Sequence, residues 1–371
     1  MEKHLVLVGG GHAHMVMLSN LHTFIDKGHT VTVIGPSDHH YYSGMGPGML
    51  GRTYSPAEIR FATRQVVEKK GGTFILGKAV SVDPEKKAVT LESGECIPYD
   101  VVSFNAGSYV PRLNLAGTVR NVYAVKPIER LMQAQEKILE LVANRKITIG
   151  ILGGGPSAAE IAGNLWQLTL NAGKNKPAIK IFAGKSFMAR FPEKVRSKVA
   201  ASLTRRGIEI LTNGYAQAVE NRRIILETGE EFSLDVIFLA MGVTPNAIFR
   251  HSNLATGPDG GLLVNEFLQS TEHADIFGGG DCIYFQKHPL DKVGVYAVRQ
   301  NPVLYHNVMA RLEGQELQPF NPGGGYLLIF NLGGGKGLLR KKWITVGGRM
   351  AFIIKDYIDR KFMRKFQALE D

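Results

Sequence analysis

The 371-residue chain holds only two cysteines, Cys96 and Cys282, far apart and in no Cys-x-x-Cys spacing. This excludes a disulfide scaffold, a cysteine-rich metal site and any redox centre built from two neighbouring thiols. A reducing, intracellular compartment is the expectation that follows. Long apolar runs are also missing, since none reaches the ~18 residues that a membrane-spanning helix needs. No charged n-region or cleavage site precedes the first strand-like segment, so no signal peptide is expected. Acidic residues are few relative to basic ones, 33 Asp+Glu against 44 Lys+Arg, for a formal charge of +11. Such a balance suits nucleic acid, a membrane surface or an anionic ligand, and only position along the chain chooses among them. Glycine is in surplus, at 43 residues, where an average chain of this length has roughly 7%. The glycines follow no triplet period, which excludes a collagen-like chain.

They cluster beside strands instead. His4-Leu5-Val6-Leu7-Val8 is a buried-strand run, followed by Gly9-Gly10-Gly11-His12-Ala13-His14 and then Met15-Val16-Met17-Leu18, which reads as helix. Val31-Thr32-Val33-Ile34 supplies the next strand, completing a βαβ unit. Glycine permits the tight turn, a bare backbone can approach a diphosphate, and the helix N-terminus offers free N–H groups to it. The pattern recurs in the strand Ile147–Leu152, the turn Gly153-Gly154-Gly155-Pro156-Ser157-Ala158, the helix start Ala159-Glu160-Ile161-Ala162 and the strand Ile179–Phe182. One glycine turn is a weak signal; two in the same strand–turn–helix–strand context are a strong one. Neither matches G-x-G-x-x-G fully. Ala158 replaces the third glycine of the second turn as a permitted variant, whereas His14 in the first is expected to push its helix slightly off the strand. A third cluster, Ile276-Phe277-Gly278-Gly279-Gly280-Asp281, puts a carboxylate after a strand-end turn, where it can accept hydrogen bonds from a sugar alcohol chain.

These elements, with Tyr99–Ser108 and Ala240-Met241-Gly242-Val243-Thr244-Pro245-Asn246 in order between them, resemble the pyridine nucleotide-disulfide oxidoreductase superfamily over about residues 4 to 320. Within it the chain resembles type II NADH dehydrogenases and the flavoprotein fused to, or encoded beside, selenophosphate synthase. Tyr42-Ser43-Gly44-Met45-Gly46-Pro47-Gly48 and Gly294–Leu304 carry the latter likeness. The resemblance implies an α/β chain with two Rossmann-like three-layer dinucleotide-binding domains, the second inserted in the first. FAD would take residues 1–118 and 250–322, NAD(P)H 119–249, and residues 323–371 would form a small C-terminal β/α segment. It further implies FAD contacts at Gly9, Gly11, His12, Ala13, His14, Ser43, Val80, Ala106, Gly107, Asp281 and Ala297. Nucleotide contacts would fall at Gly153, Gly155, Ser157, Lys185 and Gly242. The acid that usually ends the second strand of each domain is missing: one strand ends at Ile34-Gly35, the other at Phe182-Ala183-Gly184-Lys185. Lys185 or Arg190 is a candidate for a ribose 2′-phosphate, with plain surface solvation the alternative. NADH and NADPH therefore both stay open.

With no cysteine pair, the expected chemistry is hydride transfer from NAD(P)H to FAD, then two electrons to a quinone or other small acceptor. Two alternatives remain, a flavin-binding regulatory partner linked to selenium metabolism and a sulfide or other-donor quinone reductase. The helix start near Val295–Ala297 is expected to steady negative charge on the reduced ring. Gln300, one turn in, is a candidate to hydrogen-bond flavin or quinone, or else a buried structural amide. Glu160 is placed to orient the carboxamide or relay a proton, or to serve its helix N-terminus. Lys126, at the crossover between domains, either reaches the flavin or is a surface linker lysine. Tyr41 and Tyr42 either stack near the flavin ring or simply pack. Seven of the eleven histidines lie in the first 40 residues. No metal is expected there, because no carboxylate or cysteine cluster accompanies His12, His14, His39 or His40.

After Pro322 two glycine triplets frame β-type segments, and residues 350–366 read as a helix with Ile354, Ile358, Phe362 and Phe366 in one stripe. Residues 336–371 carry ten Lys+Arg and four Asp+Glu, a net +6. The expectation is a peripheral contact with an anionic membrane, on the inner face of the cell membrane of an otherwise cytoplasmic protein. A docked helix or a homodimer contact are the alternatives. Nucleic acid is not expected, for want of any binding motif.

Overall fold

The computed structural model describes residues 1–111, 114–116, 120–220 and 222–370. The expected first domain boundary, at 118/119, lies outside the described residues. Two five-stranded parallel sheets organise the molecule. The first runs Ile276–Gly278, Val101–Phe104, His4–Val8, Thr30–Gly35, Thr73–Leu76. The second runs Val122–Ala124, Val236–Leu239, Thr148–Leu152, Ala178–Phe182, Glu209–Leu211. Their central strands are buried almost end to end, as the unbroken apolar runs require when helices cover both faces.

The sheets share one internal order, and in each the strand nearest the first is reached through an antiparallel excursion. In the first sheet this is the meander Ala79–Asp83, Ala88–Leu91, Cys96–Pro98. In the second it is Ala216–Glu220, Arg223–Leu226, Glu231–Ser233, joined by the Asn114–Ala116 backbone. The edge strands differ in origin. The first sheet borrows Ile276–Gly278 from far downstream, while the second uses Val122–Ala124 from just upstream. Each sheet anchors its own hydrophobic core.

Two segments bind the halves together. The short helix Gly46–Leu50 is buried throughout and belongs to the second core, with Met45, Tyr54 and Ile59, although Ile34 and Phe61 on either side of this stretch belong to the first. Its glycines explain the close fit, because a Cβ at Gly46 would come 2.6 Å from the Ile128 side chain. Gln135 donates to the Met49 and Leu50 carbonyls at 2.7 and 2.9 Å, and so ties the helix to Glu129–Asn144. The tail is the second fastener. Its antiparallel sheet, Leu328–Asn331, Gly337–Lys341, Ile344–Gly348, leads into the helix Arg349–Gln367. Leu332 presses on the helix Pro156–Leu168, where a Cβ at Gly163 would lie 2.1 Å from the Leu332 carbonyl oxygen. The far end of the tail helix is held by the first half, with Arg360 bonded to Glu58 at 2.6 Å and Gln367 to the Arg60 carbonyl at 2.9 Å.

Candidate functional site

The first glycine turn is shaped by what crosses behind it. Gly9 has φ +93°, and a Cβ there would lie 2.3 Å from the Asn105 carbonyl oxygen. Asn105 is a residue the motif reading did not single out. Its Oδ1 accepts the Ala13 N–H at 3.2 Å and its Nδ2 donates to the Gly279 carbonyl at 2.8 Å, so one amide ties three loops. An amide closing a fully buried strand opposite a glycine turn was the available signal. His14 is fully buried, bonded to the Gly9 carbonyl at 2.6 Å and the Ser103 hydroxyl at 2.9 Å. It does not line the cavity, and neither does Ala13. His14 therefore fills the gap between helix and sheet, as a correction to its expected cofactor contact. Burial drives its pKa down to about 4.

His12 does face the cavity, with its ring stacked on Phe362 at 5.2 Å and edge-on to His40 at 5.3 Å. Burial, then the neighbouring imidazole, pushes His12 down to about 3, and burial pushes His40 to about 4. Both rings are thus neutral at pH 7. Their Nε2 atoms and the Thr63 hydroxyl are buried without partners. Three orphaned polar atoms beside the bare backbone of Gly10 and Gly11 fit the diphosphate of a dinucleotide, since an unmade buried hydrogen bond costs about 1–3 kcal/mol.

Asp281 lies farther along the same wall, with Ser43, Ala106, Gly107 and Ala297. Its Oδ2 meets Lys126 Nζ and Ser108 Oγ, both at 2.8 Å. Burial alone would raise this carboxyl, but the Lys126 ammonium and the Ser108 hydroxyl hold it below the usual range. Lys126 is therefore not a solvated linker lysine. The helix Gly294–Glu313 opens onto the cavity with Gly294 through Arg299. Gln300 is buried and its Oε1 accepts the Gly280 N–H at 2.7 Å, so it braces the Asp281 turn. Val80 is also displaced: the wall there is Gly77, Lys78 and Ala79.

The second glycine turn follows the same logic. Gly153 has φ +133°, and a Cβ would lie 2.2 Å from the Ala240 carbonyl oxygen. Gly153 and Gly155 are partly exposed but do not line the cavity, while Pro156, Ser157, Glu160, Arg190 and Gly242 do. Lys185 points away, paired with Glu227 at 3.6 Å, and does not line the cavity. Glu160, partly buried on the helix Pro156–Leu168, accepts the Asn331 N–H at 2.7 Å. Burial raises its pKa to about 7, with Lys355 and the Asn331 N–H opposing. Both turns, Glu160, Tyr42 and the tail residues Lys355 and Asp359 border one cavity of about 1920 Å³. A single ligand pocket is commonly about 300–1,000 Å³, so there is space here for two ligands.

The family model for pyridine nucleotide-disulphide oxidoreductases matches residues 3–310. The chain belongs to that family. Ferroptosis suppressor protein 1 of Xenopus tropicalis is 24% identical over 88% of this chain and 85% of its own. Demethylphylloquinone reductase NdbB of a Synechocystis strain is 24% identical over 85% of this chain and 81% of its own. Among solved structures, NDH2 from Plasmodium falciparum in complex with NADH superposes with a TM-score of 0.85 at 14% identity, covering 100% of this chain and 97% of that one. The paired parallel sheets are therefore the shared fold. The disulphide chemistry in the name of this oxidoreductase family has no residues here. Cys96 is exposed, and Cys282 is buried against the Phe104 and Gly279 carbonyls, where burial pushes its thiol up to about 11.

Proposed function

We propose that this oxidoreductase is an FAD-dependent NAD(P)H dehydrogenase that passes two electrons to a quinone-type acceptor. The observation that carries the reading is the single cavity onto which both dinucleotide-type segments and Glu160 open. When bound, FAD supplies the hydride-accepting and two-electron chemistry. His12, His40, Thr63 and the Gly10-Gly11 backbone would hold its diphosphate, and Asp281 its sugar alcohol chain. The N-terminus of the helix at Gly294 directs its positive dipole end into the cavity, where it favours negative charge. Ser157 and Gly242 border the nucleotide side, and Arg190, not Lys185, is the cation placed to meet a ribose 2′-phosphate. Glu160, poised near neutrality, can take up or release a proton for the acceptor. Two of the comparisons support this reading, one relative being a quinone reductase and one structural neighbour holding NADH.

A peripheral membrane contact fits the same reading. The tail exposes Trp343 (83%), Met350 (63%), Ile353 (56%) and Tyr357 (59%) beside its basic residues. No helix among the described residues is long and apolar enough to cross a membrane. The deciding experiment is an anaerobic titration of the purified yellow protein. NADH or NADPH should bleach the flavin band and a soluble quinone should restore it. Failure of both nucleotides to bleach it would sink the dehydrogenase reading, and bleaching by sulfide alone would replace it.

A further inference from the structure

The tail helix buries an ion pair in a place where packing does not ask for one. Lys355 and Asp359 lie one turn apart, their side chains 10% and 5% exposed, with Nζ and Oδ2 at 2.7 Å. Lys355 also donates to the Gly44 carbonyl at 2.9 Å, and Asp359 accepts the Tyr42 hydroxyl at 3.1 Å. Other buried positions of this helix, Ala351, Met363 and Phe366, are apolar or small. A buried pair is usually no more stabilising than apolar residues of the same volume. What distinguishes these two positions is the wall they share with Glu160. Three parts of the fold meet there: Tyr42 from the first half, Glu160 from the helix of the second glycine turn, and Lys355 with Asp359 from the tail.

The proposed function leaves open what keeps Glu160 near neutrality, and the present inference rests on that reading. We propose that the Lys355–Asp359 pair, anchored at the cavity wall by the Gly44 carbonyl and the Tyr42 hydroxyl, sets the proton exchange of Glu160 through its two opposed charges, with Tyr42 as a positioning residue. Among the described residues, the charged and titratable groups around the cluster are Lys355, Asp359, Asp356 and Arg360 on the tail helix, Tyr42, Tyr54 and Glu58 on the first half, and Glu160 opposite. Lys355 opposes the upward push of burial on Glu160, while the Asp359 carboxylate adds to that push. The pair thus divides its influence between a cation and an anion tied to each other, so removing either partner unbalances the field in a known direction. In the reaction NAD(P)H + H⁺ + quinone → NAD(P)⁺ + quinol, two electrons and one proton leave the nicotinamide as hydride. The second proton comes from solution, and Glu160 is where the cluster governs its passage.

The test compares Lys355→Met with Asp359→Asn in the FAD-loaded full chain. Carbon-13 labelling of glutamate carboxyls, with the Glu160 resonance assigned by its loss in Glu160→Gln, reads the titration without any acceptor. Lys355→Met should move the Glu160 midpoint up by about one pH unit and Asp359→Asn should move it down. The pH profile for reoxidation of the reduced enzyme by a soluble quinone should shift in the same two directions. Opposite signs are the signature, because general loosening of the helix would move both variants alike. Asp359→Glu should restore the wild-type midpoint, and it stands in if Lys355→Met does not fold: with Asp359→Asn shifted down and Asp359→Glu unshifted, the proposal holds. Shifts of one sign, or no shift in either variant, overturn it. A wild-type enzyme that fails to reduce quinone, with the opposed shifts intact, overturns the acceptor reading instead.

Discussion

Glu160 shows how one side chain gains a working pKa from where its helix puts it. Its motif position was legible, since it follows the second glycine turn by a fixed number of residues. Its proton affinity was not, because that depends on burial and on Lys355, which is remote in sequence. A carboxyl raised from 4.5 to about 7 is protonated in the fold where the unfolded chain is already ionised. Its ionisation therefore destabilises the fold progressively as pH rises from about 4.5 to 7 and no further beyond. Glu160→Gln should gain stability over the wild type across that window, by about 1–3 kcal/mol at its upper end, measured by denaturant melts at pH 5, 6 and 8. The same variant should slow quinone reduction more than flavin reduction by nucleotide; equal slowing would deny it an acceptor role. The orphaned atoms make a second prediction at this scale. His40→Ala should weaken FAD binding by about tenfold or more, read from flavin fluorescence on titrating the apoprotein, since a hydrogen bond to a charged group contributes about 1.5–3 kcal/mol. The placements of His14, Gln300 and Lys185 were not legible in the sequence, for a common reason. Each sits beside a functional turn in sequence, while its side chain points into the core, under the Asp281 loop or out to Glu227.

The tail helix is the element where periodicity and packing part. The apolar spacing selects Ile354, Ile358, Phe362 and Phe366, yet Ile354 and Ile358 remain 37% and 42% exposed. The buried face is Ala351, Lys355, Asp359 and Met363 with Phe366. Lys355 and Asp359 read as solvated in any hydropathy pattern, because neither can be buried alone; each is buried because the other is there. The seat of the tail depends equally on a glycine whose need is invisible in sequence. Gly163 lies mid-helix, where alanine is normally favoured, but its Cβ would meet the Leu332 backbone oxygen at 2.1 Å. Gly163→Ala should cost about 1–3 kcal/mol, lower Tm and open the tail hairpin to proteolysis, while FAD stays bound. An unchanged digestion pattern would show that the hairpin does not need this contact.

For the whole molecule, the arrangement of the two halves matters more than either alone. Each parallel sheet carries its own glycine turn, but the helix Gly46–Leu50 and the tail close the space between them into one cavity. The surplus positive charge also changes meaning once folded. Within the tail, Lys355 is neutralised by Asp359, and Arg360 by Asp356 and Glu58. Asp356 and Asp359 are already counted in the net +6, so only Glu58, from outside the tail, takes a further charge from it, and the apolar side chains left outside add to the case for a surface. Replacing Trp343, Ile353 and Tyr357 together by serine should abolish co-sedimentation with vesicles containing anionic lipid, with flavin content and Tm unchanged. Retained binding would assign the patch to another partner, such as a second copy of the chain.

The strands, the two glycine turns, the Asp281 loop and the absence of a cysteine pair were all written in local sequence. Each depends on contiguous residues: an apolar run, a bare backbone at a strand end, a carboxylate after a turn. Tertiary structure decided what no window of residues contains. It paired Lys126 with Asp281, left the Nε2 atoms of His12 and His40 and the Thr63 hydroxyl without hydrogen-bond partners at one wall, and brought Tyr42, Glu160 and Lys355–Asp359 from three distant segments to one cavity. Those relations arise from burial and from charges meeting across the chain, and both exist only once the halves and the tail have packed.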